Sequence, residues 1–145
     1  MSPFKGIAYA PVLQAIHSAC FESAWSLQNF QQLLALDTTF GFMTEYGFLL
    51  ASDLGDDLEI LTLAVLPDYR RQGIAASFLS ALQEYALSHH KQHIFLEVKK
   101  TNQPAICLYQ KHGFIQSGIR PDYYHENGQT VDALCFVWAK EKAPN

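Results

Sequence analysis

Leu63-Ala64-Val65-Leu66-Pro67-Asp68-Tyr69-Arg70-Arg71-Gln72-Gly73-Ile74-Ala75-Ala76 is the most informative run in the chain. An apolar strand ends at Pro67, a basic turn follows, and a helix opens at Gly73. The first turn of a helix holds backbone N–H groups without partners and carries a positive partial charge. Arg70 and Arg71 stand just ahead of it, and Gly73 and Ala75 are small enough for a ligand to approach the backbone closely. A pyrophosphate or a similar anion suits such an arrangement. The run has neither the GxxxxGK[ST] spacing of a Walker A loop nor GxGxxG. On these residues alone, an anion cradle and a solvated basic turn both stay open.

Working outward, Leu58 to Leu66 is the strand that feeds the turn. Ile74, Phe78, Leu82, Tyr85 and Ala86 mark the buried face of a helix running from about Gly73 to His89. Ile94 to Val98 then reads as a short buried strand. Strand, single helix and strand in succession imply a parallel pair with a crossover connection. Nearer the N-terminus, Leu13, Ile16 and Cys20 recur at helical spacing, as do Leu27, Phe30 and Leu34, with Ser26 placed to cap the second helix. Thr39 to Met43 and Phe48 to Ala51 read as strands around Glu45-Tyr46-Gly47, and Asp53 to Asp57 as a second turn. Beyond residue 98, Asn102 and Gln103 near the cap, Pro104 in the first turn and Gly113 past the end bound a further helix. Phe114 to Ser117 and Val131 to Ala139 are the last strands, joined by a polar and aromatic loop. The order ααβββαβαββ describes an α/β (α+β) mixed sheet whose early and late strands run antiparallel.

The 145 residues are 49% hydrophobic and 17% charged, which excludes a disordered chain or a coiled coil and favours one domain spanning 1–145. A net charge of -4 argues against nucleic acid or an anionic membrane as the main partner. Cys20, Cys107 and Cys135 form no CxxC, so no metal site or redox pair is expected, and reduced thiols in a cytoplasmic setting are the simplest reading. Gly6 to Ile16 is moderately apolar, but Pro11 and Gln14 interrupt it, so no signal peptide is expected. No apolar run approaches the ~18 residues of a membrane span.

A second constellation lies in Leu96-Glu97-Val98-Lys99-Lys100-Thr101-Asn102-Gln103-Pro104-Ala105-Ile106-Cys107-Leu108-Tyr109. Glu97 interrupts an otherwise apolar strand, and a partly buried carboxylate there would be a general base suited to neutral pH. It could equally face solvent from a one-sided strand. Tyr109 stands twelve residues on, either as a core aromatic or with its hydroxyl toward the strand's end.

Together, V-x-P-x-Y-R-R-Q-G-x-A and LEVxxxNxxAIxLYxxxGF resemble the GCN5-related N-acetyltransferases (GNAT), and especially the ribosomal-protein-alanine N-acetyltransferases of the RimI type. Ala24-Trp25-Ser26, Ile119-Arg120-Pro121-Asp122-Tyr123-Tyr124 and Asp132-Ala133-Leu134 resemble further segments of that subgroup, so the likeness runs from about residue 24 to 136. The resemblance implies two parallel strands, 58–66 and 94–98, that splay to admit acetyl-CoA. It implies that Arg70, Arg71, Gln72, Gly73, Ile74, Ala75 and Ala76 hold the pyrophosphate, and that Leu63, Ala64 and Val65 bond the pantetheine arm. The Val65 N–H would then polarise the thioester carbonyl, and Asn102 would bond the pantetheine region. Glu97 would act as general base and Tyr109 as general acid, with direct attack by a primary amine and no acyl-enzyme. Trp25, Arg120, Tyr123 and Tyr124 would line the acceptor groove.

The implied partners are acetyl-CoA and a protein N-terminus, that of a ribosomal protein by preference. A lysine or small-molecule amine is the rival acceptor, and an acyl-CoA-binding sensor the rival without catalysis. The sequence departs from the subgroup at Lys99 (usually arginine), at Pro121 (usually basic), at Ala24 (usually proline) and in a short 44–58 segment. Cys107 is read as a packing residue. His89, His90 and His93 are read as complements to a helix dipole rather than as metal ligands.

Overall fold

Described over residues 1–140, the computed structural model runs α1 (Ala10–Cys20), α2 (Leu27–Leu34), β1 (Thr39–Thr44), β2 (Gly47–Asp53), β3 (Asp57–Val65), α3 (Ile74–Ser88), β4 (His93–Lys99), α4 (Gln103–Lys111), β5 (Ile115–Glu126) and β6 (Gln129–Ala139). The expected domain span of 1–145 includes five residues, 141–145, outside those described. Short 3-10 turns, Ile7–Tyr9 and Pro67–Tyr69, precede α1 and α3. The strands form one mixed sheet in the order β1-β2-β3-β4-β6-β5. Only β3 and β4 pair in parallel, as the crossover through α3 requires.

Local chemistry sets the helix ends. Ser26 Oγ accepts the Asn29 N–H at 3.1 Å at the start of α2, and Asn102 Oδ1 accepts the Ala105 N–H at 3.3 Å at the start of α4. Gly113 ends α4 at φ 84°, a left-handed position that a side chain would strain.

The sheet buries both faces at its β1–β3 end. Alternation along β2 sends Leu49 and Ala51 to one core, with Phe78, Leu79 and Leu82 of α3, and Phe48 and Leu50 to the other, with Leu13 of α1 and Phe30 of α2. Each of these side chains is fully buried and contributes roughly 1.5–3 kcal/mol in the case of the Leu and Phe residues. On the α3 face the first core continues across β4 and β6 through Ile94, Leu96 and Phe136 and takes in Tyr109 of α4.

Two expectations are corrected. Residues 118–126 form no loop; they extend β5 to the hairpin tip. Asn127 and Gly128 sit there at φ 49° and 76°, the pair of positive values that a two-residue hairpin turn of type I′ needs. β5 is an edge strand exposed along most of its length, so it carries no alternation of apolar and polar residues to read. Cys107 is exposed on α4 rather than packed. Among the described residues no helix is long and apolar enough to cross a membrane, and no group of three potential metal ligands exists.

Candidate active site

The parallel pairing of β3 and β4 stops after Asp57–His93, Leu58–Ile94 and Glu59–Phe95. Beyond that point β3 stays on β2 as far as Val65–Gly47, while β4 stays on β6 as far as Lys99–Ala133. Each strand follows its other neighbour, and the two fork. Leu63, Ala64 and Val65 therefore have no strand partner on the side facing β4, and an extended ligand can bond their backbone there.

The basic turn closes the mouth of this fork. Arg71 (φ 63°) and Gly73 (φ 79°) are both left-handed, and no side chain caps α3. Such a turn directs successive N–H groups into one concavity, at the positive end of a 15-residue helix. A Cβ on Gly73 would meet nothing within 4 Å, so the concavity is open. Arg71, Gln72 and Gly73 are exposed, and Ile74, Ala75 and Ala76 half-buried. Arg70 is exposed as well, but its Nε donates to the Val65 carbonyl at 2.9 Å, tying the turn to the end of β3. Open cradle and free strand edge together fit a ligand with a phosphate head and an extended arm.

Glu97 points from β4 toward the face opposite α3, between the buried Leu96 and Val98. Arg120 Nε donates to Glu97 Oε1 at 3.0 Å. Tyr124 lies close enough to feel the Glu97 charge; burial first, and that charge second, push its phenol up. The Arg120 guanidinium lies 5.4 Å from the Tyr123 ring centre, and the Lys99 ammonium lies 5.3 Å from that of Tyr124 while pairing with Glu126. Three of the four expected acceptor-side residues thus gather around Glu97, on a strand. They do so through a bulge: Arg120 faces Ala133 and Tyr124 faces Val131, so Pro121, Asp122 and Tyr123 stand opposite Asp132 alone. Asp132 Oδ1 accepts the Asp122 N–H at 2.9 Å, and Asp122 Oδ1 accepts the Thr130 hydroxyl at 2.6 Å.

Tyr109 is buried on α4, edge-on to Phe114 at 5.8 Å. Burial chiefly, and then Tyr124, push its phenol far above the ordinary value, so it holds its proton across the whole physiological range. Asn102 spends its Oδ1 on the α4 cap, which leaves only its Nδ2 for a ligand.

The fourth expected acceptor residue, Trp25, packs instead with the α1–α2 segment. Its N–H donates to His17 Nδ1 at 3.1 Å, and its ring lies 5.0 Å from the imidazole and 5.5 Å from Phe30. Trp25 also lines a shallow apolar cleft of about 560 Å³ with Leu33, Leu36 and Leu61. His17 and Glu59 went unnoticed in the sequence. His17 is an ordinary member of an amphipathic helix until its partners are known. Glu59 reads as the polar half of a strand, and only the strand register places it beside Glu97.

Residues 11–114 match the profile of the Acetyltransferase (GNAT) family. A Bacillus subtilis (strain 168) relative, whose provisional name is ribosomal protein bS18-alanine N-acetyltransferase, is 32% identical over 129 residues, 85% of this chain and 83% of that one. The Escherichia coli (strain K12) ribosomal protein bS18-alanine N-acetyltransferase is 33% identical over 82 residues, 57% of this chain and 55% of that one. In fold, the chain is similar to the crystal structure of the Escherichia coli ribosomal-protein-S18-alanine N-acetyltransferase (TM-score 0.88, 23% identity, 99% and 96% of the two chains). It is also similar in fold to Arabidopsis thaliana NAA60 in complex with acetyl-CoA (TM-score 0.78, 21% identity, 95% and 98%).

Proposed function

The chain belongs to the GNAT acetyltransferase family and is an acetyl-CoA-dependent N-acetyltransferase, and from that premise we propose that its acceptor is a protein N-terminal α-amine, that of a ribosomal-protein alanine. The observation that carries this reading is the Bacillus subtilis relative, which is named for that acceptor and matched over 85% of the chain. The gathering of Arg120, Tyr123 and Tyr124 around Glu97 adds to it, because a peptide's first residues need a charged and aromatic surface beside the reacting amine. Residues 1–145 then act as one catalytic domain, and a ribosomal-protein acceptor would place it in the cytoplasm.

Under this reading acetyl-CoA enters the fork. The turn from Arg70 to Ala76 holds its pyrophosphate, and Leu63, Ala64 and Val65 bond its arm, with the Nδ2 of Asn102 as a further donor. The bound thioester supplies the activated acetyl group. The Val65 N–H donates to its carbonyl oxygen, stabilising the negative charge that develops there. Glu97, held by Arg120, draws a proton from the amine through water. Tyr109, which keeps its proton at neutral pH, returns one to the departing thiolate. No acyl-enzyme forms; most of the rate comes from holding amine and thioester together.

The test is mass spectrometry of peptides incubated with the purified protein and acetyl-CoA. The panel holds free N-terminal Ala, Ser and Met peptides, N-blocked peptides with an internal lysine, and polyamines. Acetylation confined to the α-amine of Ala peptides is the expected result. Modification of lysine or polyamine alone would discard the acceptor, and binding of acetyl-CoA with no product from any amine would favour a sensor.

A further inference from the structure

Glu59 occupies the last position at which β3 still pairs with β4, opposite Phe95, so it stands at the crotch of the fork. Glu97 lies one strand over and two residues along, on the same face, a diagonal neighbour within reach of a long side chain. Arg120 lies between the two charges, but its Nε bonds Glu97. Among the described residues Glu59 has no ion-pair partner within 4.0 Å. The two carboxylates therefore differ: Glu97 is held ionised by a contact with a guanidinium, while Glu59 is half-buried, unpaired and repelled by its neighbour.

We propose that Glu59 is a second proton-accepting carboxylate of this site and the resting place of the proton taken from the acceptor ammonium. The inference rests on the acetyltransferase reading above. The acceptor arrives as R–NH3⁺, because an α-amine has a pKa of about 8. One N–H bond breaks, and its proton passes by way of Glu97 to the Glu59 carboxylate, which becomes a carboxylic acid. The freed nitrogen lone pair attacks the thioester carbon, a C–N bond forms, and the C–S bond breaks. The second nitrogen proton leaves with the thiolate as a thiol, and Glu59 returns its proton to solvent. Acetyl-CoA and R–NH3⁺ thus become the acetamide, free CoA and one proton.

Burial and the Glu97 charge push Glu59 up, and Arg120 opposes them. The other groups near it are Ser52 on β2, the Asp57–His93 pair two residues along, Tyr124 on β5 and Cys135 on β6. The adjoining cleft under α2 adds only the neutral Asn29 and Gln32.

The full chain is assayed from pH 5 to 9 with saturating acetyl-CoA and an N-terminal Ala peptide, as wild type, Glu59→Gln, Glu59→Asp and Glu97→Gln. Wild-type kcat should fall on the acid side above the pH at which an ordinary glutamate protonates. Glu59→Gln should lower kcat by about 10²-fold and abolish that limb, while acetyl-CoA binding stays within twofold of wild type. Glu59→Asp should restore part of the rate. A Glu59→Gln kcat within twofold of wild type with the same acid limb would overturn the proposal and leave the acetyltransferase reading standing. A wild type that binds acetyl-CoA yet acetylates no amine would overturn both. Should Glu59→Gln fail to bind acetyl-CoA, Glu59→Asp decides: an unshifted acid limb refutes the role.

Discussion

His17 is buried among Phe21, Trp25, Phe30 and Phe48, and burial lowers its pKa from 6.5 to about 4. Its Nδ1 accepts the Trp25 N–H at 3.1 Å, so that nitrogen carries no proton, and its Nε2 lies 3.4 Å from the Thr62 hydroxyl. The ring thus joins α1 to the α2 entry and to β3 in its neutral form only. The unfolded chain takes up this proton near pH 6.5 and the folded chain near 4, so between these values the unfolded state binds more protons. Stability therefore falls as pH falls through that window. The displacement corresponds to a loss of about 2 kcal/mol at pH 5 and about 3 kcal/mol at pH 4, against almost none at pH 7.5.

Urea unfolding at pH 7.5 and 5 measures this effect, in wild type and in His17→Gln, whose side-chain oxygen can still accept from Trp25. The variant is expected to be less stable at pH 7.5, because the aromatic packing is lost. It should lose about 2 kcal/mol less than wild type on going to pH 5. The other five histidines of the chain cancel in that difference. An equal pH dependence in the two proteins would refute the argument, and would mean that His17 titrates as an exposed imidazole does.

Other perturbations reach the site directly. Tyr109→Phe should lower kcat by roughly 10²-fold with Tm nearly unchanged, and wild type should lose no activity up to pH 9 through ionisation of this phenol; steady-state pH profiles and thermal melts check both. Gly73→Ala places a Cβ in open space but at φ 79°, so strain alone should cost about 1 kcal/mol and weaken acetyl-CoA binding severalfold in calorimetry. Asp132→Ala removes the carboxylate that takes the Asp122 N–H. It should release the bulge between Arg120 and Tyr124 and raise the acceptor KM more than the acetyl-CoA KM, at a stability cost of about 1 kcal/mol.

Much of the fold and one part of the candidate site lie in short stretches of chain. The strand–turn–helix from Leu63 to Ala76 is contiguous, and its small residues and the missing cap act over a few residues, so composition reveals an anion cradle directly. Ser26, Asn102 and Gly113 mark their helix ends for the same reason: a capping bond spans about three residues. The parallel pair is legible too, because one intervening helix leaves no other common geometry for two neighbouring strands.

The acceptor side is different, because strand register builds it. Glu59, Glu97 and Arg120 come from β3, β4 and β5, and no local propensity records which of them are neighbours. A slip of one residue in either strand would turn Glu59 or Glu97 to the opposite face. His17 meets Thr62 across 45 positions of sequence, and that pairing exists only once α1 is seated on the sheet. β5 hides its strand character because an exposed edge buries neither face. What the sequence determined alone are the elements and the cradle, whose interactions close within a turn or two. The tertiary structure decided which charges share one face of the fork, since non-local hydrogen-bond register sets their distances.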